Sequence, residues 1–260
     1  MTANKKGIEI QEVSKTFILE GKSIPALGHI DISIRNGEFV SIVGKSGCGK
    51  STLLRIVSGL ENASTGQVLI GDRRVERASV MAGLVFQEPR LFPWLTVAQN
   101  IEFGIHGELS RDERWQTVHQ YIDLVGLNGF AKAYPRQLSG GMQQRVSIAR
   151  SLINKPGVLL LDEPFGALDA LTRINMQNEV LRIWQSYDAT MALVTHDVDE
   201  AIFLSDRIFV MSERPGTIDR VIDVDIPRPR ERSGARFMEI RREIFTMFFT
   251  NSAISIEYYI

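Results

Sequence analysis

Three glycines, two lysines and three hydroxyl residues crowd into Gly44-Lys45-Ser46-Gly47-Cys48-Gly49-Lys50-Ser51-Thr52. Glycines at Gly44, Gly47 and Gly49 permit backbone conformations that a Cβ forbids. Successive N–H groups can then turn inward at the positive end of a following helix, where a phosphate chain can sit. Lys50 adds a point charge between β- and γ-phosphates, and Ser51 offers a hydroxyl to Mg²⁺, a hard cation shared readily with nucleotide phosphates. A second source of chemistry is Asp162-Glu163. Adjacent strand residues point in opposite directions, so Asp162 can stand beside the magnesium shell while Glu163 faces an attacking water. Ser139-Gly140-Gly141 opens another helix, whose start suits either an anion or a plain N-cap. Of the four histidines, His196 alone lies at the carboxyl end of an expected core strand, whereas His29, His106 and His119 read as surface or structural residues. Phe17, near the end of an early strand, reads equally as a ring stacked on adenine or as a core phenylalanine.

These residues need elements to hold them. Phe39-Val43 is an apolar, β-branched run leading into the glycines, and Leu53-Leu54-Arg55-Ile56-Val57 follows at helical spacing, so the order is strand, tight loop, helix. Ile8–Phe17 and Ile30–Val43 read as strands, punctuated by Glu20-Gly21-Lys22 and Asn36-Gly37, and suggest an antiparallel flank. Short strands are expected at Val68–Gly71 and Ala82–Phe86, the latter ending on Gln87. From Thr96 to about Ala133 apolar residues recur at helical spacing, and a further helix runs from Ser139 to the stop at Lys155-Pro156. Val158–Leu161 reads as a parallel strand buried on both faces and delivers Asp162-Glu163-Pro164 at its carboxyl end, the edge where ligands gather in open parallel sheets. An amphipathic helix is expected from about Leu171 to Trp184. Strands follow at Thr190–Thr195, Ile208–Met211 and Ile218–Ile226, then a helix at Glu231–Thr250 that packs through Phe245, Met247, Phe248 and Phe249.

Composition narrows the class. The 260 residues are 44% hydrophobic and 23% charged, as in soluble globular proteins. Lys and Arg total 30 against 31 Asp and Glu, so no basic excess drives binding to nucleic acid. The single cysteine, Cys48, excludes an intrachain disulfide framework and fits a reducing compartment. Met1–Gly7 is not followed by an apolar signal core, and no run approaches the length of a membrane-spanning helix.

Together the pieces resemble the ATP-binding-cassette ATPases, from about Ile8 to Met211. GKSGCGKS is similar to the Walker A motif, Gln87 to the Q-loop, LSGGM to the signature, VLLLDEP to the Walker B, Ala167-Leu168-Asp169 to the D-loop and His196 to the switch histidine. Phe86–Trp94, Leu168–Arg173 and Asp225–Arg230 look like the nitrate, sulfonate and taurine importer subfamily. The resemblance implies an α/β fold: a P-loop NTPase core with a mostly parallel sheet, an antiparallel β flank and an inserted α-helical subdomain. Residues 1–92 and 155–226 would form the ATP-binding core, 93–154 the helical subdomain and 227–260 a C-terminal helical tail.

It also implies hydrolysis of ATP with Mg²⁺, coupled to a permease. Gly44, Lys45, Ser46, Gly47, Cys48, Gly49, Lys50, Ser51, Thr52 and Phe17 would bind the nucleotide, and Ser51, Gln87 and Asp162 the metal. Glu163 would polarise the attacking water and His196 would orient it, with Lys50 and Gln87 completing the catalytic set. Two anion-seeking helix ends in different subdomains are reconciled by a head-to-tail homodimer. Ser139, Gly140, Gly141 and Asp169 of one copy would then close over the nucleotide of the other. Further partners would be integral membrane permease subunits and, indirectly, a solute-binding protein, placing the chain at the cytoplasmic face of the cell membrane. Pro89–Leu95 would dock the permease or else form a packed linker. The alternatives are a soluble ABC ATPase acting on nucleic acid or ribosomes, against which the neutral charge and the short Gln87–Ser139 span argue, and a P-loop kinase, in which LSGGM has no role.

Overall fold

The computed structural model describes residues 6–187 and 189–249. The amino-terminal stretch before Lys6, and Thr250 at the end of the expected last helix, lie outside the described residues. In chain order the elements are β1 (Lys6–Leu19), β2 (Lys22–Arg35), β3 (Phe39–Val43), α1 (Lys50–Val57), β4 (Thr65–Ile70), β5 (Arg73–Arg74), β6 (Ala82–Val85), α2 (Val97–Glu102), α3 (Arg111–Leu124), α4 (Gly140–Leu152), β7 (Val158–Asp162), α5 (Ala170–Ser186), β8 (Thr190–Thr195), α6 (Val198–Leu204), β9 (Arg207–Met211), β10 (Ile218–Asp223) and α7 (Ala235–Phe249). They group into two compact units, one made of the chain up to Arg77 and from Ala192 onward, the other of Ala78–Met191.

The first unit contains the antiparallel flank, in the order β2-β1-β4-β5. Alternation sets its register: Ile8 faces Ile34 and Ile70, Ile10 faces Ile32 and Val68, and all six are buried or nearly so. The β1–β2 turn is Glu20-Gly21, both at positive φ (51° and 76°), the two-residue geometry whose twist matches a hairpin. β2 begins at Lys22, well before the expected Ile30, because Pro25 and Gly28 break the alternation that marks a strand. The same unit carries the strand order β10-β9-β3-β8. β9 pairs antiparallel with β10 and parallel with β3, where Val43 lies opposite Val210. Every residue of β3 is buried, which explains its unbroken apolar run.

The second unit holds β6 and β7, paired in parallel from Ala82↔Val158 to Val85↔Leu161, with α2 to α5. The expected helical run from Thr96 to Ala133 resolves into α2 and α3, each opened by a capping box: Thr96 with Gln99, and Ser110 with Glu113. At the other end of the chain, α7 starts at Ala235, four residues later than expected for its first turn. Its buried face is Phe237, Ile240 and Ile244, while Phe245, Met247 and Phe248 are only half-buried. The fully buried set recurs at i, i+3 and i+7, the ordinary stripe of a docked helix, and the aromatic cluster falls beside it.

Candidate functional site

In the first unit, β3 delivers the chain to Gly44 and α1 carries it away from Gly49. The three glycines answer different demands. Gly47 (φ 79°) and Gly49 (φ 110°) stand in the left-handed region, and a Cβ on Gly49 would also lie 2.5 Å from Leu27 Cδ2 and 2.9 Å from the Ala26 carbonyl oxygen on β2. Gly44 is needed for close approach instead, since a Cβ there would stand 2.8 Å from Cys48 Sγ. Cys48 is 2% exposed, so its thiol packs beneath the loop and is not presented on the outer side. Lys50, 5% exposed, donates from Nζ to the carbonyl oxygens of Gly44 (2.8 Å) and Lys45 (3.0 Å), which curls the loop around its ammonium group. Ser51 and Thr52 follow, half-buried in the first turn of α1. Lys45 and Ser46 are exposed, and Lys45 pairs with Glu213 at 2.7 Å, which holds that carboxyl below the usual range.

Two other expected residues lie in this unit. Phe17 is half-buried in β1 opposite Ile24, with Lys15 Nζ 4.8 Å from its ring centroid. It is no core phenylalanine, and it sits beside the exposed Ile18 and Leu19. His196 is exposed on the turn between β8 and α6, and the turn is tightly made. The Asp197 carboxylate accepts from the N–H groups of Asp199 (2.9 Å) and Glu200 (3.1 Å), and Thr195 Oγ1 donates to Glu200 Oε2 (2.7 Å). His119, by contrast, stacks edge-on to Trp115 at 4.4 Å, and His29 and His106 are exposed.

In the second unit, β7 is buried through Leu161 and ends at Asp162, half-buried. Glu163 comes next at φ 45°, a conformation costly for a residue with a long side chain and held by the surrounding structure. A Cβ on Gly166 would lie 3.2 Å from Gln87 Nε2 and 4.0 Å from Glu163 Oε2, so the amide of Gln87 and the carboxylate of Glu163 converge on one bare position. Gln87 itself follows β6 and is exposed.

The signature segment lies in the same unit. Ser139 is exposed and caps α4, its Oγ accepting from the Met142 N–H at 3.3 Å. Gly140 is exposed, but Gly141 is buried, and a Cβ on it would stand 2.8 Å from Thr172 Cγ2. Gly140 therefore stands open at the first turn of α4, while Gly141 lets α5 close on α4. Asp169 caps α5 by accepting from Thr172 at 3.1 Å, and the bonds it accepts from Thr172 hold its carboxyl below the usual range.

Sequence reasoning missed the buried polar residues behind these groups. Gln144, 1% exposed, donates to the Phe86 carbonyl at 3.1 Å. Arg150 donates to the carbonyls of Pro89 and Arg90, both at 3.1 Å, and Ser151 Oγ to that of Leu84 at 3.1 Å. Asn100, fully buried, accepts from the Phe92 N–H at 2.9 Å and donates to the carbonyls of Phe92, Leu95 and Thr96. The Pro89–Leu95 loop is thereby fixed from two helices, with Trp94 70% and Phe103 63% exposed around the Phe92 ring. Gln143 and Gln144 stand next to each other in sequence, and only their partners distinguish them.

The Ser51 hydroxyl in the first unit, and the Gln87 amide oxygen and the Asp162 carboxylate in the second, are each hard oxygen donors of the kind Mg²⁺ takes. Among the described residues no group of three or more His, Cys, Asp or Glu is placed to hold a metal ion. Among the described residues no helix is long and apolar enough to cross a membrane.

The ABC transporter family model matches residues 27–166. The chain is 46% identical to the aliphatic sulfonates import ATP-binding protein SsuB of Bacillus cereus, over 93% of its own length and 95% of that protein. It is likewise 46% identical to the nitrate import ATP-binding protein NrtD of Synechocystis, over 91% and 89%. Among solved structures it resembles the dimeric post-hydrolysis state of the ATP-binding cassette MJ0796 bound to ADP and Pi, with a TM-score of 0.73 and 33% identity over 85% of this chain and all of that one. The chain belongs to the ABC transporter family, among its cassettes that bind and hydrolyse ATP.

Proposed function

We propose that the chain is the energy-supplying subunit of an importer for a small anionic solute of the aliphatic sulfonate, taurine or nitrate type. It would work as a homodimer docked on integral membrane permease subunits at the cytoplasmic face of the membrane, fed by a solute-binding protein. One observation carries the coupling: Gln87, which converges with Glu163 on Gly166, hangs from a carbonyl held by the signature helix and leads directly into the aromatic loop that Asn100 and Arg150 fix. A change felt at Gln87 is thereby delivered to an exposed aromatic surface suited to a permease helix. The sulfonate and nitrate importer relatives support the solute class, and they give no support to action on nucleic acid.

In this reading Lys50 exchanges its two loop carbonyls for the β- and γ-phosphate oxygens, and Gly44–Thr52 wraps the phosphate chain through its backbone N–H groups. Phe17 covers the base. Ser51, Gln87 and Asp162 hold Mg²⁺, which supplies charge neutralisation to the phosphates when bound. Glu163 polarises the attacking water and His196 orients it toward the γ-phosphate. Ser139, Gly140 and Gly141 of the second copy, with Asp169 at the interface, complete the grip on the nucleotide. Loss of the γ-phosphate removes contacts that favour the closed pair, the differential affinity a transport stroke needs.

The test is Glu163→Gln, assayed with the permease present. ATP binding should persist, turnover should fall by roughly 10²–10⁴, and the ATP-bound dimer should accumulate. Near-normal hydrolysis overturns the assignment of Glu163. Failure to co-purify with any integral membrane protein, together with salt-sensitive affinity for DNA or RNA, overturns the importer reading.

A further inference from the structure

The segment after β10 carries an arginine that donates to five main-chain carbonyl oxygens. Arg230 is 6% exposed. One guanidinium nitrogen, Nη1, donates to the carbonyl oxygens of Ile202 (2.7 Å), Phe203 (3.3 Å) and Ser205 (2.6 Å), the unsatisfied end of α6. Nε donates to Ile226 (2.9 Å) and Nη2 to Val224 (3.3 Å) on its own segment. Burial, with the neighbouring Arg228 charge, pushes the group down to about 10, so it is still charged at neutral pH.

We propose that Arg230 is a positioning residue for His196, gripping the far end of the helix that the histidine introduces. α6 is only seven residues long, too short to be stable by itself, so its placement must come from what holds its two ends. The leading end is bonded to the histidine turn through the Asp197 cap and the Thr195–Glu200 pair. The trailing end is held by Arg230, where a cation also complements the helix dipole. Arg228 adds a second hold, donating to Leu204 and to Asp206 (both 2.5 Å). Asp206 in turn accepts from the Phe39 N–H at 3.0 Å, at the start of the strand that leads to Gly44. Arg241 lies 3.0 Å from Asp199 Oδ1 in the first turn of α6. A buried charge is retained only when its donors are satisfied, and three of these acceptors belong to one helix end. The tail from Val224 through α7 is thus a brace on the helix behind the histidine.

This rests on the reading that His196 acts at the γ-phosphate, and the experiment separates the two. In the full-length chain assembled with its permease, Arg230→Met should keep ATP affinity within about twofold and lower kcat between about tenfold and 10²-fold, the scale of a misplaced catalytic group. Amide exchange should rise across α6 and the histidine turn. Arg230→Lys, which keeps the charge and some donors, should recover part of kcat, and carries the test alone if Arg230→Met does not fold. His196→Ala, measured beside them, should keep ATP affinity and lose turnover. Normal turnover by His196→Ala overturns the histidine reading and the brace with it. A dead His196→Ala with unchanged kcat in both Arg230 variants overturns the brace only, as does a fall in affinity that parallels the fall in kcat.

Discussion

Gln144 of the signature helix and Phe86 at the end of β6 are joined by a single hydrogen bond, 3.1 Å from the amide nitrogen to the carbonyl oxygen, in a site where the glutamine is 1% exposed. Because Phe86 precedes Gln87, the bond ties the segment that opens with Ser139 to the residue facing Glu163. Gln144→Met, of similar shape, removes the donor and leaves a buried carbonyl unsatisfied, at a cost of about 1–3 kcal/mol. Thermal unfolding should fall by about 2–4 °C per kcal/mol. An unchanged melting temperature would mean that water or another donor replaces the amide.

The two signature glycines should respond oppositely to alanine. At Gly141 a Cβ meets Thr172 Cγ2 at 2.8 Å, so Gly141→Ala must push α5 from α4, at about 1–3 kcal/mol. At Gly140 the nearest contact is Leu168 Cδ2 at 3.5 Å, ordinary packing, and alanine gains helix propensity of up to about 1 kcal/mol. Chemical denaturation of both variants checks the sign: Gly141→Ala less stable than the parent chain, Gly140→Ala equal to it or above.

What could be read from the chain beforehand divides along the same line. The phosphate loop, β3 and β7 were legible because their demands are local: glycine where φ is positive, unbroken apolar residues where a strand is covered on both faces. Gln144, Asn100 and Arg230 were not. Each is a polar residue made necessary by carbonyls brought to it by the fold, and the Phe86–Gln144 pair is separated by 58 positions. The start of β2 was hidden by Pro25 and Gly28, and the packed stripe of α7 by a more conspicuous run of phenylalanines. Gly141 was visible as part of a motif, yet the neighbour that requires it, Thr172, lies on another helix.

Glu163 pays in backbone strain for its place after β7. Gln at this position keeps φ near 45° and should keep the melting temperature, whereas Gly relieves a conformation costing about 1–3 kcal/mol and offsets that partly through greater chain entropy. Glu163→Gly should therefore be at least as stable as the parent while hydrolysing no ATP. Calorimetry alongside a phosphate-release assay checks both, and a clear drop in stability would place the strain elsewhere.

Cys48 offers a probe of the loop without any substitution. Its thiol is 2% exposed and Sγ lies beneath Gly44, so a maleimide can reach it only after the loop opens. Labelling of the native chain should be slower than that of the denatured chain by at least about 10² if opening costs some 3 kcal/mol, since each 1.4 kcal/mol is a factor of ten. ATP should slow it further. Rapid labelling of native protein would show that the loop is open for much of the time.

Ser139→Arg separates the two halves of the proposed grip. The side chain is exposed and caps α4 by accepting from the Met142 N–H, so the substitution costs about 1 kcal/mol of cap. Gly44–Thr52 belongs to the other compact unit. Nucleotide binding by the single chain should then persist, measured by equilibrium titration, while hydrolysis that depends on two copies is abolished and the ATP-bound dimer fails to appear on size exclusion. If instead the single chain loses its affinity for ATP, Ser139 serves the nucleotide of its own copy, and the shared arrangement is wrong.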